Sequence, residues 1–173
     1  MQHQRSESTR QQQPKMRQLT AQMREENAMP QYGFGKVPPQ ALPLEEAVLG
    51  ALMLDRDALG YVSDLLAPEV FYTKAHQLIF QAILQLYERQ NPVDILTVTE
   101  ELRKCGELEQ VGGSHYLVEL TNRVASAANI EYHSRIILQK HIQRQIIAVG
   151  ARMMKDGYEE TADCFDTLQD AEQ

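Results

Sequence analysis

The chain has 173 residues, a formal net charge of −7 at pH 7, two cysteines and no tryptophan. This length suits one domain with an appended segment, and the negative charge argues against a protein that binds nucleic acid over most of its surface. Cys105 and Cys164 do not make a disulfide framework, which favours a reducing, cytoplasmic setting. No apolar run is long enough to span a bilayer and no signal-peptide core is visible, so we expect no membrane association.

The first segment, residues 1–37, differs in composition from the rest of the chain. It carries six Lys or Arg residues against three Glu, is rich in glutamine and has few aliphatic residues. Such a composition buries too little apolar surface to fold, so we predict a disordered, basic, glutamine-rich arm. A solvated extension is the favoured interpretation, and an arm that contacts DNA is the alternative.

Residues 38–125 predict a compact head of short helices. Prolines within Val37–Pro43 predict an extended linker ahead of it. Apolar spacing and helix-stop signals then predict five helices, and no segment shows the alternation of a strand. The expected helices are Leu44 to about Leu54, Ala58–Leu66, about Lys74–Arg89, a fourth that begins after Thr97 and ends at Cys105, and about Ser114–Arg123.

Local signals set the expected ends of these helices. Asp57 is a candidate cap for the second helix. Thr97 and Glu100 match a capping box, with Thr97 as the N-cap of the fourth helix. Gly106 suits the left-handed position beyond that helix, and Gly112-Gly113 predicts a tight turn. The expected core stripe of the third helix is Leu78, Ile79, Ala82, Ile83 and Leu86.

Residues 126–173 predict a long helical hairpin. The stretch from Asn129 to Gly157 contains no proline, and as a helix it would be roughly 40 Å long. It carries five Lys or Arg and two acids, whereas residues 158–173 carry six acids and no Lys or Arg, so we expect this acidic segment to fold back along the basic helix. The predicted fold class is all-α: a compact head of about five or six short helices followed by a long antiparallel hairpin.

The long helix has more apolar surface than one partner covers. A helix that is apolar over more than about 100° usually has more than one packing partner. Because the acidic segment is too short to cover it all, we expect the remainder to bind another molecule. The apolar seam is Leu138, Ile142, Ile146, Val149 and Met153, and the neighbouring face is Ile136, Ile147, Ala151 and Met154.

No pattern in the sequence predicts a catalytic, cofactor or metal site. Gly112-Gly113 lacks the length and the lysine of a phosphate-binding loop. The histidines follow no metal-ligand spacing and are expected at a surface or an interface, and the carboxylates Glu100-Glu101 are expected to be solvated. Arg135, Lys140 and Arg144 are predicted to pair with the acidic segment, and a phosphate-binding strip is the alternative.

Several short stretches are weak signals singly but occur in a specific order and spacing. They are Pro38-Pro39, Glu45–Gly50, Leu54-Asp55, Phe71-Tyr72, His76, Ile79-Phe80, Pro92–Asp94, Thr97-Val98, Glu101-Leu102, Val111–Gly113, Tyr116-Leu117 and Ser126–Asn129. Together they closely resemble the N-terminal domain of the bacterial replicative DNA helicase, the DnaB family. The resemblance covers roughly residues 38–173 and leaves the basic arm outside it.

The resemblance implies a six-helix head with a helical hairpin. In the family, hairpins pair between subunits, and three such dimers form the collar of a hexameric ring that acts on single-stranded DNA. The collar also docks the C-terminal domain of the primase DnaG. Family members continue into a RecA-like motor with a Walker A loop, and the chain ends at Gln173 without one. We therefore expect a fragment of an ATP-dependent helicase, with ATP and Mg²⁺ needed only by the missing motor.

These expectations assign two sets of residues and leave two alternatives. The hairpin and its dimer contact are expected to be held by burial of Ile136, Ile142, Ile146, Ile147 and Met153. Primase docking is assigned to Asn129, Ile130, Tyr132, Arg135 and Gln139. One alternative is a plain helical bundle whose long helix is covered internally. The other is a DNA-binding regulator that uses the fourth or fifth helix, although both helices are acidic overall.

Overall fold

The structure, a computed structural model, describes residues 36–55, 57–124 and 127–158. These residues contain five α-helices and no strand, which confirms the all-α prediction for the described part of the chain. The predicted basic arm, apart from Lys36 and Val37, and the acidic arm of the hairpin beyond Tyr158 lie outside the described residues. The helices are α1 (Leu42–Leu54), α2 (Lys74–Glu88), α3 (Ile95–Lys104), α4 (Gly113–Asn122) and α5 (Ile130–Tyr158), with 3₁₀ turns at Ala58–Tyr61 and Pro68–Val70.

The chain divides into two units. The first, Pro38–Gly150, contains the head and also the first part of α5. The predicted boundary between head and hairpin at residue 125 is therefore not where this compact unit ends. The second unit combines Met1–Val37 with Ala151–Gln173. In its described part, Ala151 is buried while Met153 and Met154 are exposed.

The core of the head lies between α1, α2, α3 and α4, where apolar side chains recur at helical spacing. The whole predicted stripe of α2 is buried, and Phe71 and Phe80 pack with ring centroids 4.9 Å apart. Thr73 caps α2 by accepting a hydrogen bond from the His76 amide at 3.1 Å. The short helices are therefore fixed chiefly by one shared apolar core.

The predicted helix Ala58–Leu66 is wrong in its length and its cap. A 3₁₀ turn ends at Tyr61, and hydrogen-bonded turns follow it. Asp57 makes no side-chain capping bond. Gly60 sits in the middle of this short segment, where glycine disfavours helix by about 1 kcal/mol relative to alanine. A single turn is the result, since a short run rarely propagates without strong helix formers.

The capping box of α3 exists but is shifted by three residues. Asp94, not Thr97, is the N-cap, and its carboxylate accepts hydrogen bonds from the Leu96 and Thr97 amides, both at 2.9 Å. The Thr97 hydroxyl accepts the Asp94 amide hydrogen bond at 3.0 Å and so fills the N3 role. Beyond the helix, Gly106 has a φ of 72°, which confirms the predicted left-handed position.

Candidate protein-interaction site

The long helix α5 presents an exposed apolar surface, which we call the apolar face and define as Ile142, Ile146, Ile147 and Val149. Their exposed fractions are 49%, 66%, 50% and 37%. Met153 and Met154, further along the same helix, are 37% and 50% exposed. Single exposed apolar residues are ordinary on protein surfaces, but clustered ones mark interaction sites. The apolar face is thus the strongest candidate site in the described part of the chain.

The N-terminal part of α5 packs on the head. Ile130, Ser134 and Ile137 are buried at 5%, 0% and 0% exposure, and Leu138 packs against the same core cluster. Ile137 was not among the residues predicted from the sequence, although its spacing of seven residues from Ile130 was a usable signal. Two adjacent isoleucines, Ile136 and Ile137, made the choice of inner face ambiguous, and the structure leaves Ile136 only partly buried.

Four of the five residues assigned to primase docking have side chains at least partly available at the surface. Tyr132 is 67% exposed, and Asn129, Arg135 and Gln139 are also exposed. The assignment of Ile130 to primase docking is wrong, because its side chain lies in the core and is unavailable to a partner. The N-terminal half of α5 therefore offers polar and aromatic side chains, whereas the half beyond Arg144 offers aliphatic ones.

Three of the five cations of α5, those singled out in the sequence, have different partners. Arg135 pairs with Glu131 on its own helix at 2.8 Å, and Lys140 donates to Gln143 at 3.3 Å. Arg144 instead donates to two backbone carbonyls, those of Pro39 at 2.9 Å and Val70 at 2.6 Å. The head thus engages two donor groups of Arg144, while the acidic segment with which it was predicted to pair lies outside the described residues.

A buried polar network crosses the head. Glu45 is 1% exposed and accepts the Tyr72 amide hydrogen bond at 3.0 Å and the His76 Nδ1 hydrogen bond at 2.6 Å. His76 Nε2 is bonded to the Tyr116 hydroxyl at 2.8 Å. Burial raises the pKa of Tyr116, with a further contribution from the negative charge of Glu46. His76 is 2% exposed, so the expectation of a surface or interface histidine is wrong here.

A second carboxylate is buried where the sequence predicted a solvated one. Glu101 is 4% exposed and accepts a hydrogen bond from Arg89 at 2.7 Å. Its neighbour Glu100 is exposed and pairs with Arg103 on the same helix. A single residue step on α3 thus separates an inward from an outward carboxylate, because successive helix positions differ by about 100°.

An open cleft of about 550 Å³ lies beside the polar network. Its wall includes Leu42, His76 and Tyr116, and its charged rim is Glu46 and Glu119. Both rim carboxylates are bonded to Arg123. The two rim carboxylates are therefore paired and are not free bases, and the described residues contain no group of three or more His, Cys, Asp or Glu able to hold a metal.

Comparison with protein families gives a direct match. The profile described as the DnaB-like helicase N-terminal domain matches residues 37–139. The replicative DNA helicase DnaB of Rhodothermus marinus is 51% identical over 138 residues, which are 80% of this chain and 15% of that protein. The corresponding protein of Geobacillus stearothermophilus is 46% identical over 123 residues, 71% of this chain and 27% of that protein. The chain thus spans about a quarter or less of the length of these relatives.

Solved structures show the same fold. The crystal structure of the N-terminal domain of DnaB helicase from Mycobacterium tuberculosis superposes with a TM-score of 0.75 and 39% identity, covering 79% of this chain and 96% of that one. A DnaB-like replicative helicase, whose structure was described with its primase interactions, superposes with a TM-score of 0.60 and 24% identity. It covers 75% of this chain and 30% of that one.

None of the helices in the described residues is long and apolar enough to cross a membrane.

Proposed function

This chain belongs to the family of DnaB-like helicase N-terminal domains, and from that premise we propose that it is the assembly and primase-docking domain of a replicative DNA helicase. The observation that carries the proposal is the two-sided helix α5. One side is buried in the head through Ile137, while the other leaves Ile146 66% exposed. Such a helix is held in place by its own domain and still has apolar surface for a partner.

Self-association is the first part of the proposal. A fully buried large aliphatic side chain contributes about 1.5–3 kcal/mol, so burying the isoleucines of the apolar face against a second copy would give a substantial driving force. Dimers formed in this way would assemble in threes into the collar of a hexameric ring, through which the helicase acts on single-stranded DNA. ATP and Mg²⁺ serve a RecA-like motor in this proposal, and the residues of this chain supply assembly and docking.

Primase docking is the second part of the proposal. The exposed N-terminal half of α5 provides the contact, with Asn129, Tyr132, Arg135 and Gln139 as its residues. Its partner is the helicase-binding C-terminal domain of the primase DnaG. An exposed tyrosine is a suitable anchor, because tyrosine buries a large rigid area and keeps a hydroxyl for hydrogen bonding. A DnaB-like replicative helicase with the same fold was described with its interactions with primase, which supports primase as the class of partner and leaves the choice of residues to the exposure of this half of α5.

The two alternative functions fit the structure less well. The exposure of Ile142, Ile146 and Ile147 argues against a plain bundle whose long helix is covered internally. A DNA-reading role for α3 or α4 is disfavoured because Arg103 and Arg123, their exposed arginines, are both bonded to carboxylates. Their positive charge is therefore already compensated within the head.

A titration with the primase C-terminal domain tests the docking proposal. Isothermal calorimetry should show binding to the unaltered chain, and Tyr132→Ala should weaken it at least tenfold, about 1.4 kcal/mol. Tyr61→Ala is the matched control, since Tyr61 lies on the head and is 67% exposed, as is Tyr132. Equal weakening by both substitutions, or binding that ignores Tyr132, would assign the contact elsewhere. Absence of any binding to the unaltered chain would refute primase docking by this domain alone.

A further inference from the structure

Arg144 makes contacts that the proposed function does not use. Its Nη1 and Nη2 atoms donate to the carbonyl oxygens of Pro39 and Val70 at 2.9 Å and 2.6 Å. Its guanidinium carbon lies 5.4 Å from the ring centroid of Tyr72, within the range of a cation–π attraction. Partial burial of the side chain lowers the pKa of Arg144. All four residues belong to the compact unit Pro38–Gly150.

The carbonyls that Arg144 binds belong to two segments outside the α-helices. Pro39 lies in the extended linker that leads into α1, and Val70 ends the second 3₁₀ turn. A planar guanidinium with fixed donor directions can hold two acceptors at once, whereas a lysine ammonium acts as a single point charge. The fork of Arg144 therefore joins the linker, the 3₁₀ turn and the long helix at one point.

The position of Arg144 along α5 gives this contact its importance. The helix is held to the head core at Ile137 and Leu138, and Arg144 lies about two turns later. The five residues that follow it, 145–149, are all exposed. Ile142 and Ile146 are each two residues from Arg144, so they lie about 160° away around the helix. Arg144 thus grips the head from the side opposite to these two isoleucines.

The grip is continuous with the buried network of the head. The Tyr72 ring contacts the Arg144 guanidinium, and the Tyr72 amide donates to Glu45 at 3.0 Å. Glu45 is in turn bonded to His76 at 2.6 Å. Tyr72, which contacts the Arg144 guanidinium, is therefore itself hydrogen-bonded to the buried network of the head.

We propose that Arg144 is a positioning residue that clamps α5 to the head and fixes the direction in which its exposed isoleucines are presented. The inference rests on the proposed function, and it names the residue that holds the docking helix in place. A fixed helix loses little conformational freedom when a partner binds, so clamping raises affinity without any contact to the partner. Because Arg144 also binds the Pro39 carbonyl, the position of the linker is coupled to the position of the docking helix.

A distance measurement between the head and the far part of α5 tests the clamp. Spin labels are attached at Gln81→Cys on α2 and Ala148→Cys on α5, both exposed positions, with Cys105 and Cys164 changed to serine. The labelled chain is diluted with unlabelled protein so that only distances within one molecule contribute. We expect a narrow distance distribution by pulsed electron resonance for the unaltered clamp and at least a twofold broader one for Arg144→Met. Arg144→Lys keeps the charge but loses the fork, and should give an intermediate width.

Controls separate a clamp from a general structural role. Arg103→Met removes an exposed arginine of α3 and should leave the distribution narrow. Amide exchange should remain slow in α1 to α4 of Arg144→Met and become at least tenfold faster in α5 beyond Leu138. An unchanged narrow distribution in Arg144→Met, or a broad one in the unaltered chain, overturns the clamp. If Arg144→Met unfolds the head, Arg144→Lys decides: a folded head with an unchanged distribution also overturns it.

This test also distinguishes failure of the clamp from failure of the proposed function. The distance distribution and the amide exchange report on one molecule, so they decide the clamp even if the chain does not self-associate. Where the chain self-associates, Arg144→Met should weaken dimerisation threefold to tenfold although Arg144 is not part of the apolar face. If Arg144→Met broadens the distance distribution but binds its partner as tightly as the unaltered chain does, Arg144 holds α5 in the free chain and has no effect on binding. That result would overturn the part of the proposal that concerns affinity.

Discussion

At the residue scale, the two glutamates that open α1 have different environments. Glu45 is 1% exposed and accepts two hydrogen bonds from donors in the head. Glu46 is partly exposed and pairs with Arg123, whose side chain is itself 51% exposed. Buried hydrogen bonds are costly to break because the abandoned partner stays away from water, whereas exposed ion pairs contribute little.

Glu45→Gln should therefore destabilise the head far more than Glu46→Gln. A glutamine side chain keeps one acceptor oxygen for the Tyr72 amide and turns an NH₂ donor toward His76 Nδ1, so the buried His76 ring must change tautomer or lose this hydrogen bond. We expect a loss of about 1–3 kcal/mol in the free energy of unfolding for Glu45→Gln. For Glu46→Gln we expect about 0–1 kcal/mol. Urea unfolding followed by circular dichroism measures both, and equal losses would mean that the buried network contributes no special stability.

At the element scale, α1 and α4 approach each other at Gly50. A Cβ atom at Gly50 would lie 2.3 Å from the Leu120 carbonyl oxygen and 2.6 Å from a Val124 methyl carbon. The first of these neighbours is backbone, which cannot rotate away. Glycine is therefore required here because the two helix backbones are in direct contact, and not because of its dihedral angles.

Gly50→Ala should separate α1 from α4 and destabilise the head. Overpacking of a dense core costs about 1–3 kcal/mol, and the backbone contact places this substitution at the upper end. Gly60→Ala is the control, because a Cβ there meets nothing within 4 Å and alanine restricts the unfolded chain. Urea unfolding should show a large loss for the first and little change or a small gain for the second. Similar stabilities for the two variants would contradict the close approach.

The elements also show what sequence reasoning reaches and where it stops. The stripe of α2 was predictable because Leu78, Ile79 and Ile83 recur with a single clear period. In α5 the period is ambiguous: Ile136 and Ile137 are adjacent, and either could point inward. In the structure Ile137 is the one that is buried against the head. Its burial depends on tertiary contacts that no local pattern encodes.

Polar residues of the site illustrate the same limit. Asp94 and Thr97 both suit an N-cap, and the extended conformation of Asp94, with φ −151° and ψ 174°, decides between them. His76 and Glu45 are 31 positions apart, so their pairing exists only once α1 and α2 have packed. Composition and spacing identified an exposed apolar helix, but they could not assign the head contacts of Arg144.

At the scale of the whole molecule, the head has its own buried core, and the helix α5 carries an apolar face for which we propose a partner. The compact unit Pro38–Gly150 buries its own core, and the apolar face remains exposed at its far end. The central claim is that this face is covered by a second copy of the chain. That claim concerns assembly, and it can be tested without primase, DNA or nucleotide.

The most direct measurement is the solution mass by light scattering, at several concentrations, of the unaltered chain, Ile147→Asp and Leu96→Asp. Both substitutions add one negative charge at an exposed aliphatic residue: Ile147 on the apolar face is 50% exposed, and Leu96 on the head is 77% exposed. The account predicts a dimer or a larger species for the unaltered chain and for Leu96→Asp, and a monomer with a folded head for Ile147→Asp. A monomeric unaltered chain at every concentration, or an Ile147→Asp variant that associates as strongly as the control, would contradict it.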